Sequence, residues 1–283
     1  MRARSGSRVA IMFVVCSIAV TACGDGSSRA QTRASSTTRV TTTTVDPSTT
    51  RATTTTTTPS TVATSAPPET IATTPPTSPP PVPLLVEQLD YIGSASQVIT
   101  VATAGYGTSY ATLTAWERGA SGWTQVFGPW TANVGRNGVA PSGEKREGDG
   151  RTPSGTYGFD FMFGVNPNPG VKFPFRAITG TNIVWDDDPS SPNYNRWIDT
   201  NTESAGPTPE PMYVSAYGSG AVIAYNTART PGLGSAIFLH LSSGGSTAGC
   251  VALPSSQLIP LLQWLDPAQQ PRIAIGTLDA LSS

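Results

Sequence analysis

The chain of 283 residues carries 17 basic and 18 acidic side chains, a formal net charge of −1, and only 12% of its residues are charged. No basic run or excess is present, which excludes nucleic acid as a partner. The composition changes sharply along the chain and divides it into three unlike regions.

The first region reads as an address. "MRARSGSR" supplies Arg2, Arg4 and Arg8, and "VAIMFVVCSIAV" follows as an uncharged apolar run too short to span a bilayer as a mature helix. It ends in "VTAC", residues 20–23: an aliphatic residue, two small ones, then cysteine, which resembles the bacterial lipobox. The resemblance implies a lipoprotein signal peptide over 1–22 and lipidation of Cys23; an ordinary secretory signal cut near the same place is the alternative. Two acyl chains, at ~0.8 kcal/mol per buried methylene, anchor a protein stably where one does not.

Residues 23–83 are threonine, serine and proline with almost nothing to bury. Such a segment cannot offset a backbone entropy cost of ~1–2 kcal/mol per residue, so it is expected to be a disordered or partly polyproline-like tether. Its reach is roughly 45 Å as a flexible coil and well over 100 Å if stiffened, the span between a membrane and a wall. A glycosylated stalk is compatible with the composition.

Residues 84–283 are long enough for one domain with a proper core. They hold 10 basic and 15 acidic side chains, a balance of −5, and one cysteine, so no internal disulfide can form there. "QVITVATAGYGTSYATLTAWERG" predicts two strands around a glycine turn, and "GWTQVFGPWTANVG" a further strand pair. "NIVWDDD", "PMYVSAYG", "AVIAYNT", "SAIFLHL" and "PRIAIG" read as short strands. One helix is predicted, capped by Ser255 or Ser256, with Leu258, Leu261, Leu262 and Leu265 on one face and Pro260 early, where it is tolerated. Many short strands with one or two helices give a mostly-β sandwich or barrel.

Two other stretches stand out. "GDGRTPSGTYGF" (148–159) reads as a tight turn entering a strand; no Gly-Lys-Ser/Thr and no helix follows, so it is not a phosphate-binding loop. Asp186, Asp187 and Asp188 lie together in "WDDDPSSPNYNRW", but without the alternating spacing of a Ca²⁺ loop, and read as a solvated turn rather than a metal site. No metal or cofactor is expected.

The segment "HLSSGGSTAGCVAL" holds His240, the only histidine, and Cys250. His240 ends an apolar strand, "SSGGS" must turn, and "TAGCVAL" returns, which predicts a hairpin-like pair with the two side chains within hydrogen-bond reach. A free thiol is only a few per cent thiolate at pH 7, and thiolate is the nucleophile; a neighbouring imidazole can take its proton and later return one to a departing amine. Gly249 leaves the amides of residues 249 and 250 bare for an oxyanion, and small Thr247 and Ala248 keep the approach open. The alternative is a packed cysteine: "CVAL" would also serve as a core strand.

An "IFLH" strand, a turn and "STAGCVAL", with "GDGRTPSGTYGF" upstream, resemble the L,D-transpeptidase catalytic-domain (YkuD) family over essentially Gln97 to Gly276. The resemblance implies a β-sandwich-like fold, an extracytoplasmic location facing the cell wall, and peptidoglycan stem peptides as partner. Carried over, Cys250 is the nucleophile, His240 its base, the Leu241 carbonyl orients the imidazole, and the 249–250 backbone forms the oxyanion hole. The implied reaction is acyl transfer: release of a terminal D-alanine, then a 3→3 cross-link when a stem amine resolves the thioester, or L,D-carboxypeptidase action when water does. Many members carry histidine where Ala248 stands and arginine or asparagine where Ala252 stands, and the His-to-Cys interval here is short. These departures leave the nucleophile and base in place and bear on donor specificity and rate.

Papain-like peptidases place cysteine before histidine, the reverse order, and a sortase-like enzyme would need a nearby arginine after the cysteine. The protein is expected to be monomeric. The reading from another class is a non-catalytic wall-binding lipoprotein in which Cys250 merely packs, with Trp116, Trp123, Trp130, Trp185, Tyr194 or Trp197 against sugars. Arg151, Tyr194 and Arg196 are the candidates to grip substrate carboxylates.

Overall fold

The computed structural model describes residues 82–283. The signal peptide (1–22), Cys23 and all but the end of the tether (23–83) lie outside the described residues. Fifteen strands and two helices follow a short 3₁₀ turn at Leu85–Gln88. The first three strands, β1 (Gln97–Thr103), β2 (Tyr110–Gly119) and β3 (Gly122–Asn133), form an antiparallel meander. Five short strands come next: β4 (Val139–Ala140), β5 (Thr152–Pro153), β6 (Gly155–Tyr157), β7 (Phe159–Gly164) and β8 (Phe175–Ala177). Strands β9 (Ile183–Asp186), β10 (Arg196–Asp199) and β11 (Glu210–Pro211) make a separate three-stranded sheet with β9 central. The chain ends with β12 (Gly220–Ile223), β13 (Phe238–Leu241), β14 (Val251–Leu253), α1 (Ser255–Trp264), β15 (Arg272–Thr277) and α2 (Leu278–Leu281).

The main sheet has ten strands in the order β6-β15-β1-β2-β3-β14-β13-β12-β7-β8. It curls on itself. Ile99, Leu113, Ile273 and Ile275 from one limb share a single apolar cluster with Ala221, Leu239, Val251 and Leu253 from the other, and Leu258, Leu261 and Leu262 of α1 join it with Leu265 just past its end. Strands far apart in the sheet can meet this way only if the two limbs face each other, which is the sandwich expected of a mostly-β chain. Truncating any of these fully buried leucines to alanine costs ~2–5 kcal/mol.

Strand alternation then places the second core. Ile237 and Leu239 point into the first cluster, while Ala236 and Phe238 point to the opposite face, where Phe161, Phe163, Trp185, Tyr217 and Cys250 gather. The three-stranded sheet supplies Ile183 and Trp185 to this cluster. A third cluster of Val86, Ile92, Ala95, Val98 and Trp116 covers the outer face of β1. It explains why β1 is buried on both faces rather than alternating.

The local expectations fare unevenly. The β1–β2 pair, β9, β12, β13, β15 and the leucine face of α1 stand where expected. "GWTQVFGPWTANVG" is one twelve-residue strand rather than two, because its bulged register against β2 absorbs the glycine and proline without a turn. "PMYVSAYG" is mostly not a strand: a 3₁₀ turn spans Ser215–Tyr217, and tyrosine 217 is buried by it. No serine caps α1; Pro254 occupies that place without a side-chain bond. The "SSGGS" segment does not close a hairpin. β13 and β14 run parallel, with Leu239 opposite Val251 and His240 opposite Ala252.

Candidate active site

The parallel register decides where the thiol and the imidazole sit. Cys250 lies just ahead of β14, beside Phe238, and His240 lies two residues further along β13 on the same face. Side chains in that relation are separated by two residues' rise, roughly 6–7 Å along the strands, rather than facing each other directly. The connection needed to run parallel is the loop 242–249, and it is held at several points. Ser242 Oγ donates to Asn133 Oδ1 at 2.7 Å, and Thr247 N–H donates to the Val134 carbonyl at 2.9 Å. Gly135 and Thr247 form a parallel bridge.

Thr247 and Thr152 fix the cysteine backbone from two sides. Thr247 Oγ1 donates to the Cys250 carbonyl at 2.7 Å and accepts the Gly249 N–H at 3.1 Å; Thr152 Oγ1 donates to the same carbonyl at 3.3 Å and accepts the Gly135 N–H at 2.8 Å. Thr152 belongs to the "GDGRTPSG" stretch, so that motif serves the cysteine loop. Glycine is favoured at 249, where φ is +156° and a Cβ would crowd the Arg151 carbonyl at 3.0 Å. One expectation is corrected here: the Gly249 amide is already bonded to Thr247, so of the 249–250 pair only the Cys250 amide is not tied to a side chain.

His240 is 8% exposed. Its Nδ1 lies 2.8 Å from the Leu241 carbonyl, an arrangement that makes Nδ1–H the donor and leaves Nε2 with the lone pair. The Tyr217 ring stands edge-on to the imidazole, with centroids 5.3 Å apart at 89°. Burial lowers the imidazole below its ordinary value, against the pull of the Leu241 and Ala216 carbonyls toward the charged ring. The ring is therefore neutral at pH 7, as a base must be.

Cys250 is 6% exposed and free of any disulfide. Its Sγ accepts the Phe238 N–H at 3.4 Å and donates to the Ala236 carbonyl at 3.2 Å. Burial pushes the thiol well above its ordinary value, the Glu210 carboxylate adds to this, and Phe238 N–H and Lys145 act in the other direction. The resting pair is a neutral thiol and a neutral imidazole with no hydrogen bond between them, not the preformed ion pair that a hairpin would give.

A cleft of about 350 Å³ nevertheless reaches both groups, lined by His240, Cys250, Thr247, Ala248, Gly249 and Ala252. Ala248 and Ala252 thus stand where larger side chains would narrow it. Five further lining residues carried no sequence signal for this role: Lys145, Glu147, Asp187, Glu210 and Tyr217. Tyr217 OH donates to Glu210 Oε1, and burial, with Asp187 and Glu147 nearby, pushes Glu210 up to about 7. Lys145 pairs with Asp149 at 2.7 Å, and Glu147 accepts from Ser235 Oγ at 2.7 Å and from Tyr194 OH. Lys145 and Glu147 sit just ahead of the Gly-Asp-Gly turn, whereas Glu210 stands in "TPEPMY" with no pattern to mark it.

The aspartate run divides three ways. Asp186 is fully buried and accepts the Ser191 hydroxyl at 2.5 Å and the Gly206 amide at 3.0 Å, so it is a structural buttress rather than part of a solvated turn. Asp187 faces the thiol cleft, and burial pushes its carboxyl up. Asp188 accepts from Ser190 at the surface. Among the described residues no such cluster is placed to hold a metal ion. Of the candidates to grip carboxylates, Tyr194 is buried against Glu147 and Arg196 lines a different cleft.

No curated protein and no solved structure matches the chain. The family model of the L,D-transpeptidase catalytic domain (YkuD) matches residues 98–275, from the first strand of the main sheet to the last and through every residue of the cleft just described. That span is well over half of the chain, and the protein belongs to the YkuD family, whose members are cysteine-dependent transpeptidases acting on peptidoglycan.

Proposed function

We propose that the protein is a peptidoglycan L,D-transpeptidase that forms 3→3 cross-links through a Cys250 acyl-enzyme, with His240 as general base. The observation that carries the reading is the shared cleft: one opening reaches the free thiol and an imidazole whose Nδ1 is tied to Leu241, leaving Nε2 basic. For reaction the thiol leaves the Ala236 carbonyl and turns toward His240, which takes its proton. The sulfur attacks the carbonyl joining the third stem residue to the terminal D-alanine, and the Cys250 amide faces the oxyanion. Imidazolium returns the proton to the departing D-alanine amine, leaving a thioester. A side-chain amine of a neighbouring stem attacks that thioester, gives up its proton to His240, and the released thiolate recovers it.

The high thiol pKa fits this order of events. Thiolate forms only as a substrate carbonyl arrives to receive it, and an idle thiol is protected from oxidation in an oxidising compartment. We propose further that Cys23 carries a lipid anchor and that residues 23–83 span the distance to the wall.

The test incubates the protein with a disaccharide-tetrapeptide and weighs the products. A dimer lighter by one D-alanine supports cross-linking. Tripeptide alone, with no dimer at any acceptor concentration, would replace the transpeptidase by an L,D-carboxypeptidase, and no change with an intact Cys250 would leave the wall-binding reading.

A further inference from the structure

A second cleft, of about 420 Å³, opens between β7, β10 and β12 and shares Ile237 with the thiol cleft as a common wall. Three arginines line it, Arg176, Arg196 and Arg229, against one acid, Asp160. Three of the ten cations of an acidic domain have thus been gathered in one place. None of the thiol chemistry uses them.

The arginines are open to a ligand. Arg176 lays its guanidinium over the Phe161 ring, 3.8 Å from the centroid, with Trp197 5.9 Å away. Stacking on Phe161 engages a face of the guanidinium and not its in-plane N–H fork, and the Arg176 side chain is exposed. Among the described residues, no carboxylate pairs with Arg176 or Arg229. Arg196 is held by Asn193 Oδ1 at 2.5 Å and only loosely by Glu203 at 3.4 Å, both side chains being about half-exposed. A cleft lined by three arginines and by the rings of Phe161, Trp185, Trp197 and Tyr225 suits carboxylates carried on a chain with apolar links.

We propose that this cleft is a second binding site, for a carboxylate-bearing chain of the wall. The choice of ligand rests on the wall-substrate reading above; the site itself does not depend on the thiol. The carboxylates have two sources in that material, the peptide stem and the lactyl groups of glycan stripped of its stems.

The experiment uses the full chain carrying Cys250→Ala, so that nothing is turned over, titrated by calorimetry with free tetrapeptide, with stripped glycan and with a glycerol-phosphate oligomer. One of the two carboxylate ligands is expected to bind, and which one identifies the source. Arg176→Gln, whose shorter neutral amide removes both the charge and the fork, and Arg229→Ala, on an exposed turn, are each expected to weaken binding about tenfold, the usual worth of a charge-assisted contact. The proposal is overturned if neither carboxylate ligand binds at millimolar concentration, if both variants bind as the parent does, or if only the phosphate oligomer competes. Carbapenem acylation of the unsubstituted chain, measured alongside, separates the two readings. Lost acylation with intact binding counts against the thiol chemistry alone, and intact acylation with no binding counts against the second site alone.

Discussion

Two clefts of similar size share Ile237 and are built on opposite electrostatic principles. In the thiol cleft three of the five charged lining residues are internally answered, Lys145 by Asp149, Glu147 by Ser235 and Tyr194, and Glu210 by Tyr217, while Arg136 and Asp187 carry no ion pair among the described residues. In the arginine cleft, Arg176 and Arg229 have no carboxylate partner among the described residues. Answered and buried charges move pKa values; open ones keep their charge and attract ligands at a strength that salt screens. Variants in the first cleft should therefore show their effects against pH, and variants in the second against ionic strength.

The largest expected effect lies at Cys250. A carbapenem should add covalently to the protein, and Cys250→Ala should abolish the adduct completely by intact-mass measurement while leaving the fold. An adduct surviving in that variant would place the nucleophile elsewhere. His240→Ala should come next, slowing acylation by roughly 10²–10⁴-fold, the usual worth of a positioned base. Its pH profile is the sharper measurement. The imidazole is lowered by burial, so the acid limb of the parent's rate should fall below the ordinary histidine value of 6.5, with activity lost as pH drops through it. A limb at or above 6.5 would mean that the ring is not held in this environment.

Glu210 offers a test by stability. Its carboxyl is raised from 4.5 to about 7, so the fold favours the protonated form. That contribution is fully present below the unfolded value near 4.5 and is lost as pH rises through about 7. Glu210→Gln keeps an acceptor for Tyr217 and removes the titration. It should be the more stable protein above pH 7, by at most ~3 kcal/mol, and should show little advantage near pH 4. Equal melting temperatures for the two proteins across this range would show that Glu210 is not held protonated by its surroundings.

The same contrast shows what a sequence can disclose. Cys250 and His240 were legible because their types are rare here and because the surrounding pattern is specific. The leucine face of α1 and the alternating strands were legible because periodicity reports burial directly. The parallel pairing of β13 and β14 was not, since a glycine-rich turn of eight or nine residues reads equally as a hairpin loop or as a crossover, and only contacts with Asn133, Val134 and Gly135 decide it. Glu210, Tyr217 and Arg176 were invisible for a related reason. Each acquires its role from a neighbour distant in sequence, and residue type alone does not name that neighbour.

Thr152 carries the smallest of these effects and the most local. Its side chain is fully buried and joins two segments through one oxygen, accepting from Gly135 and donating to the Cys250 carbonyl. Thr152→Val keeps the shape and deletes both bonds, leaving a buried amide unpaired, which costs ~1–3 kcal/mol, or a few degrees of melting temperature for a domain of this size. Because Gly135 also bridges Thr247, the loss should loosen the 247–250 loop, raising hydrogen exchange there and slowing acylation severalfold. The acid limb set by His240 should not move, since Thr152 touches the cysteine side of the site alone. Thr152→Ser, which restores the hydroxyl, should recover the rate. If the valine variant melts earlier yet acylates as fast as the parent, the threonine supports the sheet and has no part in placing the thiol.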